Sequence, residues 1–129
     1  MTLALALLAS ALPAPVHPPT AVGVGEREWR ISLYRSKVPT GRVKLNVRNF
    51  GEDGHDLAVR TSSGRLLGSI PELRPGRSGT LTVRMREPGR SDTLTLRLRE
   101  SGRYRLFCSL EGHEAKGMHA VLRVKRRGH

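Results

Sequence analysis

Apolar and polar residues alternate along much of this chain, and that period of two restricts the folds open to it. The alternation is clear in residues 29–34 and 43–48, and Leu57 and Val59 continue it. Such a pattern predicts strands with one buried face, and clusters of Gly, Pro, Asn and Asp separate them. Because aromatic residues make up only 4% of the chain, the core must consist mainly of Leu and Val. We therefore predict an all-β protein, a Greek-key β-sandwich.

A tandem repeat follows in the second half of the chain. Residues 75–87 (PGRSGTLTVRMRE) and 88–100 (PGRSDTLTLRLRE) are identical at ten of thirteen positions. Each copy has a Pro-Gly turn followed by a strand pattern with Arg at alternate positions, which would keep an exposed edge from pairing with other chains. Two copies are too few for a solenoid. We predict that the duplication adds one strand or a longer hairpin to the sandwich.

The N-terminal residues predict export. Residues 3–8 form an apolar run, and residues 9–11 (ASA) have the small-x-small pattern that signal peptidases recognise. The apolar stretch is shorter than the ~20 residues that span a bilayer. We expect residues 1–11 to be a signal peptide, 12–25 a Pro-rich flexible leader, 26–126 the folded domain and 127–129 a basic tail. The expected location is extracytoplasmic: secreted, periplasmic or associated with the cell envelope.

The charge of the chain is strongly positive, with 23 Lys and Arg against 11 Asp and Glu and a formal net charge of +12. Such a surface favours acidic partner proteins and peripheral contact with anionic membranes. Nucleic acid is not an expected partner, because the basic residues are spread through alternating strands and are not gathered with aromatics in one segment.

The strongest functional signal is a loop that contains the only cysteine. Cys108 cannot form an intrachain disulfide, which leaves a buried hydrophobic residue, a free thiol or a metal ligand. His113 and Met118 follow it at equal spacing, C-x4-H-x4-M, between two predicted strands. A thiolate, an imidazole and a thioether together suit copper. A fourth ligand must come from elsewhere, and His55 follows an earlier strand at a matching end.

These residues resemble those of the cupredoxins, the small blue-copper proteins that include plastocyanin, azurin and auracyanin. The resemblance covers roughly residues 26–126, and the loop spacing is similar to that of auracyanins. It implies one copper ion, with His55 and His113 as imidazole ligands, Cys108 as the thiolate and Met118 as a weak axial ligand. The approach to the cysteine, from Gly102 to Phe107, also resembles the family's strand.

One residue departs from the family pattern in the predicted site. The family often has Asn directly after the first His, where this chain has Asp56. We expect the Asp56 carboxylate to accept a hydrogen bond from the backbone or hydroxyl of Ser109 and so hold the ligands in place.

The resemblance implies a monomeric one-electron carrier that exchanges electrons with redox partner proteins. The family transfers the electron through the loop His, so the docking patch around His113 would comprise Leu110, Ala115, Gly117 and Met118, with Glu111, Glu114 and Lys116 at its rim. An enzyme is not expected, because catalytic metals keep an open position and the larger cupredoxin enzymes need a second Cys or more domains and His. Two alternatives stay open: a copper chaperone or storage protein that delivers copper to an exported oxidase, and a metal-free adhesion sandwich.

Overall fold

The fold was determined as a computed structural model, and residues 17–75 and 92–128 are described here. Within these ranges nearly all regular structure is strand. The strands are β1 (Thr20–Arg27), β2 (Arg30–Leu33), β3 (Lys37–Pro39), β4 (Gly41–Asn49), β5 (His55–Thr61), β6 (Leu66–Leu73), β7 (Asp92–Leu98), β8 (Gly102–Phe107) and β9 (His119–Lys125). One short helix, α1 (His113–Lys116), lies between β8 and β9. No helix in the described ranges has the length and apolar character to cross a membrane.

Two mixed sheets form the sandwich. Sheet A has the strand order β2-β1-β4-β7 and sheet B the order β3-β9-β8-β5-β6. The pairs β1–β4 and β3–β9 are parallel, and the other pairs are antiparallel. The predicted β-sandwich is confirmed.

The core lies between the sheets and is built mainly from Leu and Val, as the composition predicts. Along β4 the side chains of Val43, Leu45 and Val47 are fully buried while the intervening ones are exposed. Leu57, Val59 and Leu106 of sheet B are also fully buried in the same cluster. Removing this apolar area from water is the main stabilising contribution to the fold.

The predicted leader is wrong at its C-terminal end. Residues 20–25 belong to β1, which pairs with β4 over seven register positions, from Thr20↔Val43 to Glu26↔Asn49. Val22 and Val24 are buried at 0% and 1% exposure, because their alternation with small residues matches a strand with one face in the core. The predicted signal peptide lies outside the described residues.

The second copy of the repeat provides β7, which pairs antiparallel with β4. Leu98, near the end of that copy, is buried at 1% exposure. Nearly all of the first copy, residues 76–87, lies outside the described residues, and the prediction of an added strand or hairpin stays a prediction.

Candidate metal centre

Sheet B brings the four predicted ligands to one end of the sandwich. β5 begins at His55 and runs antiparallel to β8, with Ala58 opposite Phe107. Cys108 directly follows β8 and Met118 directly precedes β9. The Cys108 backbone N–H donates to the carbonyl of Met118 at 3.1 Å, which closes the ligand loop at its base. The start of β5 and the loop that connects β8 to β9 therefore meet.

The nitrogen and sulfur donors of three of these residues converge. Nδ1 of His55 lies 3.3 Å from Nδ1 of His113, and that atom lies 3.5 Å from the Cys108 sulfur. All three donor atoms lie within 4.8 Å of one another. His55 and Cys108 are fully buried, whereas His113 is half-buried. Such spacing suits donors that share one metal ion.

Met118, the fourth predicted ligand, is buried next to the loop that carries Cys108 and His113. Its side chain is fully buried in the same cluster as Cys108, and its backbone N–H donates to the carbonyl of His113 at 3.1 Å. The prediction that Met118 contributes to an exposed apolar patch around His113 is therefore wrong. Met118 precedes β9 and turns into the sandwich, so its thioether belongs to the interior.

The loop needs its helical turn and its glycines. α1 begins at His113, and Gly112 and Gly117 flank it with φ of 78° and 127°, values that L side chains rarely adopt. At Gly117 a Cβ would also come within 2.7 Å of the Trp29 carbonyl oxygen. Gly117 therefore allows both the turn of the loop and its close approach to the β1–β2 connection.

Burial sets the protonation of Cys108. Removal from water raises the pKa of its thiol to about 12, and the negative charges of Asp56 and Glu26 act in the same direction, whereas backbone hydrogen bonds oppose them. At neutral pH the thiol therefore keeps its proton. A thiolate forms here when a cation compensates its charge, as a metal ion does.

Glu28 fixes the orientation of His55. Its Oε1 lies 3.1 Å from Nε2 of His55 and also accepts the backbone N–H groups of Glu52 (2.8 Å) and Asp53 (2.6 Å). Burial alone would raise the pKa of Glu28, but the hydrogen bonds from Asp53, His55 and Glu52 outweigh it and lower the pKa to about 2. A carboxylate that accepts from Nε2–H leaves the lone pair of Nδ1 directed at His113.

Trp29 packs beside Glu28 against both histidines. Its ring meets that of His113 edge-on at 4.9 Å between centroids and that of His55 at 6.3 Å. The Lys116 ammonium lies 4.1 Å from the Trp29 ring centroid, within cation–π range. The connection between β1 and β2 therefore covers the imidazole pair.

Sequence patterns did not identify Glu28 and Trp29 as parts of the site. Alternation placed Trp29 on the apolar face of a strand, and a charged residue in a turn carries no signal of its own. The one available signal is that Trp29 is the only tryptophan of the chain.

The predicted tie between Asp56 and the cysteine loop is present. The Ser109 backbone N–H donates to Oδ1 of Asp56 at 2.5 Å, and the Ser109 hydroxyl donates to Oδ2. Asn49 holds the preceding loop in a similar way. Its Nδ2 donates to the carbonyls of Asp53 (2.8 Å) and Leu73 (2.7 Å), and its Oδ1 accepts the Gly51 N–H.

Charges near the exposed side of the loop are partly neutralised. Glu114 of α1 accepts from Arg60 at 3.0 Å and from Arg105 at 2.7 Å, so the rim around His113 is less acidic than its sequence suggests. The interior holds one further carboxyl, Glu26, whose two oxygens lack a hydrogen-bond partner among the described residues. Burial, with a smaller effect of Asp56, raises the pKa of Glu26 to about 9.

Comparison with known proteins shows which solved structures have a similar fold. No protein-family model matches the sequence, and no curated protein is similar to it in sequence. Solved structures of similar fold include two auracyanins and a purple cupredoxin. The dithionite-reduced auracyanin of the photosynthetic bacterium Roseiflexus castenholzii has 16% identity and a TM-score of 0.57, over 86% of this chain and 99% of its own. Auracyanin A of Chloroflexus aurantiacus, a "blue" copper protein, has 14% identity and a TM-score of 0.57, over 84% of this chain and 100% of its own.

The third is a purple cupredoxin of Nitrosopumilus maritimus, with 14% identity and a TM-score of 0.51, over 82% of this chain and 99% of its own. At these identities the similarity concerns the fold. The chain has the cupredoxin fold, and the resemblance predicted from its sequence is confirmed at that level.

Proposed function

We propose that this cupredoxin-fold chain binds one copper ion through His55, Cys108, His113 and Met118 and acts as a one-electron carrier outside the cytoplasm. The observation that carries the proposal is the convergence of a buried thiol and two imidazole Nδ1 atoms within 4.8 Å at one end of the sandwich. One of the proteins of similar fold is a "blue" copper protein.

The donor set fits copper by its chemistry. Thiolate and thioether are soft ligands, and imidazole binds copper in both common oxidation states. Burial raises the pKa of the Cys108 thiol, and a bound cation would offset the charge of the thiolate and so allow the proton to leave. Copper, when bound, supplies a one-electron couple between its cuprous and cupric states.

The chain's own residues hold these donors in place. Glu28 holds His55, Asp56 holds the loop at Ser109, and the backbone pair Cys108–Met118 closes the loop. Ligands held in this way by surrounding contacts rearrange little when the charge of the site changes, and a small rearrangement favours fast electron exchange. A carrier needs this property.

The site also favours a carrier over an enzyme. His55, Cys108 and Met118 are fully buried and exclude water from their side of the site. With four protein donors, the site has no evident position for a substrate, whereas catalytic metal sites keep one open. Only His113 is partly exposed among the four, so a partner protein would approach at its ring edge.

The sequence and the charge support the proposed location and kind of partner. Export rests on the apolar residues 3–8 and the small residues 9–11. The net charge of +12 favours a redox partner with an acidic surface, and added salt should weaken their encounter. The carrier acts as a monomer in this proposal.

Electrochemistry of the copper-loaded chain tests the function. We expect one copper ion per chain and a reversible one-electron wave, which the Cys108→Ser variant lacks. The second proposed role for such a site, copper delivery to an exported oxidase, predicts a colourless Cu(I) complex that exchanges its metal readily with a chelator. A chain that binds no copper would exclude both roles.

A further inference from the structure

The outer face of sheet A carries two exposed aromatic side chains that lie directly on backbone. Gly23 and Gly25 alternate in β1 with the buried Val22 and Val24, so they lie on the outer face. A Cβ at Gly23 would lie 2.6 Å from the Tyr34 ring, and one at Gly25 would lie 3.2 Å from the Tyr34 hydroxyl and 3.4 Å from the Phe50 ring. Tyr34 is nevertheless 72% exposed and Phe50 37% exposed. The two glycines therefore let the aromatic pair lie close against the strand.

Cations surround this aromatic pair. The guanidinium groups of Arg27 and Arg48 lie 5.3 Å and 4.8 Å from the centroid of the Phe50 ring. Four more cationic side chains belong to the same face, because they alternate with the buried residues of β2, β4 and β7. They are Arg30, Arg42, Lys44 and Arg97.

The arrangement of these charges lowers the stability of the folded chain when no partner is bound to this face. Arg27 is directly opposite Arg30 in the β1–β2 ladder, and Arg42 is directly opposite Arg97 in the β4–β7 ladder. Like charges directly opposite each other destabilise a sheet. Among the described side chains of this face we find no carboxylate that would neutralise them. An anionic partner would remove the repulsion.

We propose that the outer face of sheet A docks onto an anionic lipid bilayer. Aromatic side chains with a polar tip lie at the headgroup level of membranes, and Lys and Arg near the surface are attracted to acidic lipids. Mobile headgroups can neutralise cations on four neighbouring strands without a matching shape. A protein partner is less favoured, because it would have to present carboxylates at matching positions across all four strands.

Docking in this way would orient the metal centre. Phe50 directly follows β4 at the end of the sandwich where His55 lies, and Arg27 precedes Glu28, which contacts His55. With sheet A flat on the bilayer, the loop that carries His113 would face along the membrane surface. A partner bound to the same membrane could then approach the exposed His113 edge. Docking does not require copper. Membrane docking can therefore be absent in a copper-binding electron carrier, and it can be present in a chain that binds no copper.

Vesicle binding of the full chain tests the proposal. The probe is sedimentation with phosphatidylcholine vesicles that contain about one third phosphatidylglycerol, compared with pure phosphatidylcholine vesicles. We expect binding to the acidic vesicles that falls with added salt. Pure phosphatidylcholine vesicles carry no net charge, so binding to them measures any contribution of the apolar N-terminal residues.

Two matched pairs of variants locate the surface. Lys44→Glu with Arg48→Glu should weaken binding at least about tenfold, whereas Arg103→Glu with Arg123→Glu, the same charge change on exposed positions of sheet B, should change it by less than about twofold. Likewise Tyr34→Ala with Phe50→Ala should weaken binding, and Leu66→Ala with Val121→Ala, which remove exposed apolar side chains of sheet B, should not. Near-ultraviolet circular dichroism verifies that each variant is folded.

Equal losses in both charge variants would show that net charge alone drives binding and would overturn the proposal. Absence of binding to acidic vesicles at low salt would also overturn it. A third outcome is that the chain does not bind the vesicles but is retained on immobilised polyglutamate, whereas the sheet A charge variant is not retained. The face would then be a protein-docking surface, and the membrane proposal would be wrong.

Discussion

The carboxylate of Glu28 lies 3.1 Å from Nε2 of His55, at the edge of the ring opposite to the one that meets His113. This pairing links the β1–β2 connection to the first predicted ligand. It fixes which nitrogen of His55 is free for a metal, because Nε2–H donates to the carboxylate and the lone pair of Nδ1 points into the site.

Loss of this carboxylate should weaken copper binding. We expect Glu28→Ala to lower the affinity by about tenfold to a hundredfold, the range typical for residues that orient a metal-binding histidine. Glu28→Gln should have a smaller effect and should raise the reduction potential, because a neutral amide stabilises the more positive oxidation state less well. Competition with a chelator and voltammetry measure the two quantities. Glu52→Gln removes the same charge at a neighbouring exposed position and is the control for Glu28→Gln. An equal effect there would show that Glu28 acts only through its charge.

The buried Glu26 predicts a stability that falls as the pH rises. Its pKa is raised from 4.5 to about 9, so between these values the unfolded chain has lost the proton that the native chain retains. The free energy of unfolding should therefore be highest below pH 4.5 with respect to this group and should decrease towards pH 9. Cys108 adds an effect of the same sign only above its ordinary pKa of 9.0.

Urea unfolding of the metal-free chain between about pH 5 and about pH 8 measures this dependence. Glu26→Gln replaces the neutral carboxyl by a neutral amide of the same shape, and it should flatten the dependence and stabilise the chain at the alkaline end. Glu52→Gln, at an exposed position, should leave the slope as in the parent chain. An unchanged slope in Glu26→Gln would mean that Glu26 is ionised in the folded chain.

The ligand loop should tolerate a side chain at one of its glycines better than at the other. Gly117→Ala meets both the unfavourable φ of 127° and the Trp29 carbonyl at 2.7 Å, whereas Gly112→Ala meets an unfavourable φ of 78° in open space. We expect Gly117→Ala to lower the free energy of unfolding by about 2–4 kcal/mol and Gly112→Ala to lower it by about 1 kcal/mol. Thermal or denaturant unfolding ranks the two, and the reverse order would contradict the close packing of loop and Trp29.

The Asp56–Ser109 contact should contribute to both stability and site geometry. Asp56→Ala removes two hydrogen bonds to Ser109, whereas Ser109→Ala removes only the one from the hydroxyl. We expect losses of about 2–3 kcal/mol and about 1 kcal/mol respectively. Asp56→Asn, which restores the residue common in cupredoxins, should recover most of the stability. Equal losses in the two alanine variants would show that the backbone hydrogen bond contributes nothing.

Much of this fold and site could be predicted from the sequence because the signals are local. Period-two alternation identifies strands such as β4, and Cys108, His113 and Met118 lie in one loop whose spacing can be read directly. Asp56 and Ser109 are far apart in sequence, and only the resemblance to the cupredoxins related them. Their contact depends on the antiparallel pairing of β5 with β8.

The parts that could not be predicted depend on tertiary packing. β1 was missed because two of its outer positions, Gly23 and Gly25, are glycines and prolines precede the strand, so alternation was visible only as Val22 and Val24. Glu28 and Trp29 join the site because a turn between β1 and β2 lies over it. The inward position of Met118 accompanies the hydrogen bond from the Cys108 N–H to its carbonyl, which closes the loop. None of these contacts has a signature in residue spacing.

The visible absorption of the chain after addition of Cu(II) tests the central claim most directly. If His55, Cys108, His113 and Met118 hold copper, the chain should bind one equivalent and develop an intense thiolate-to-copper band. Cys108→Ser should abolish that band, and Met118→Leu should shift it but retain it. Copper bound without such a band, or a band that survives in Cys108→Ser, would contradict the account.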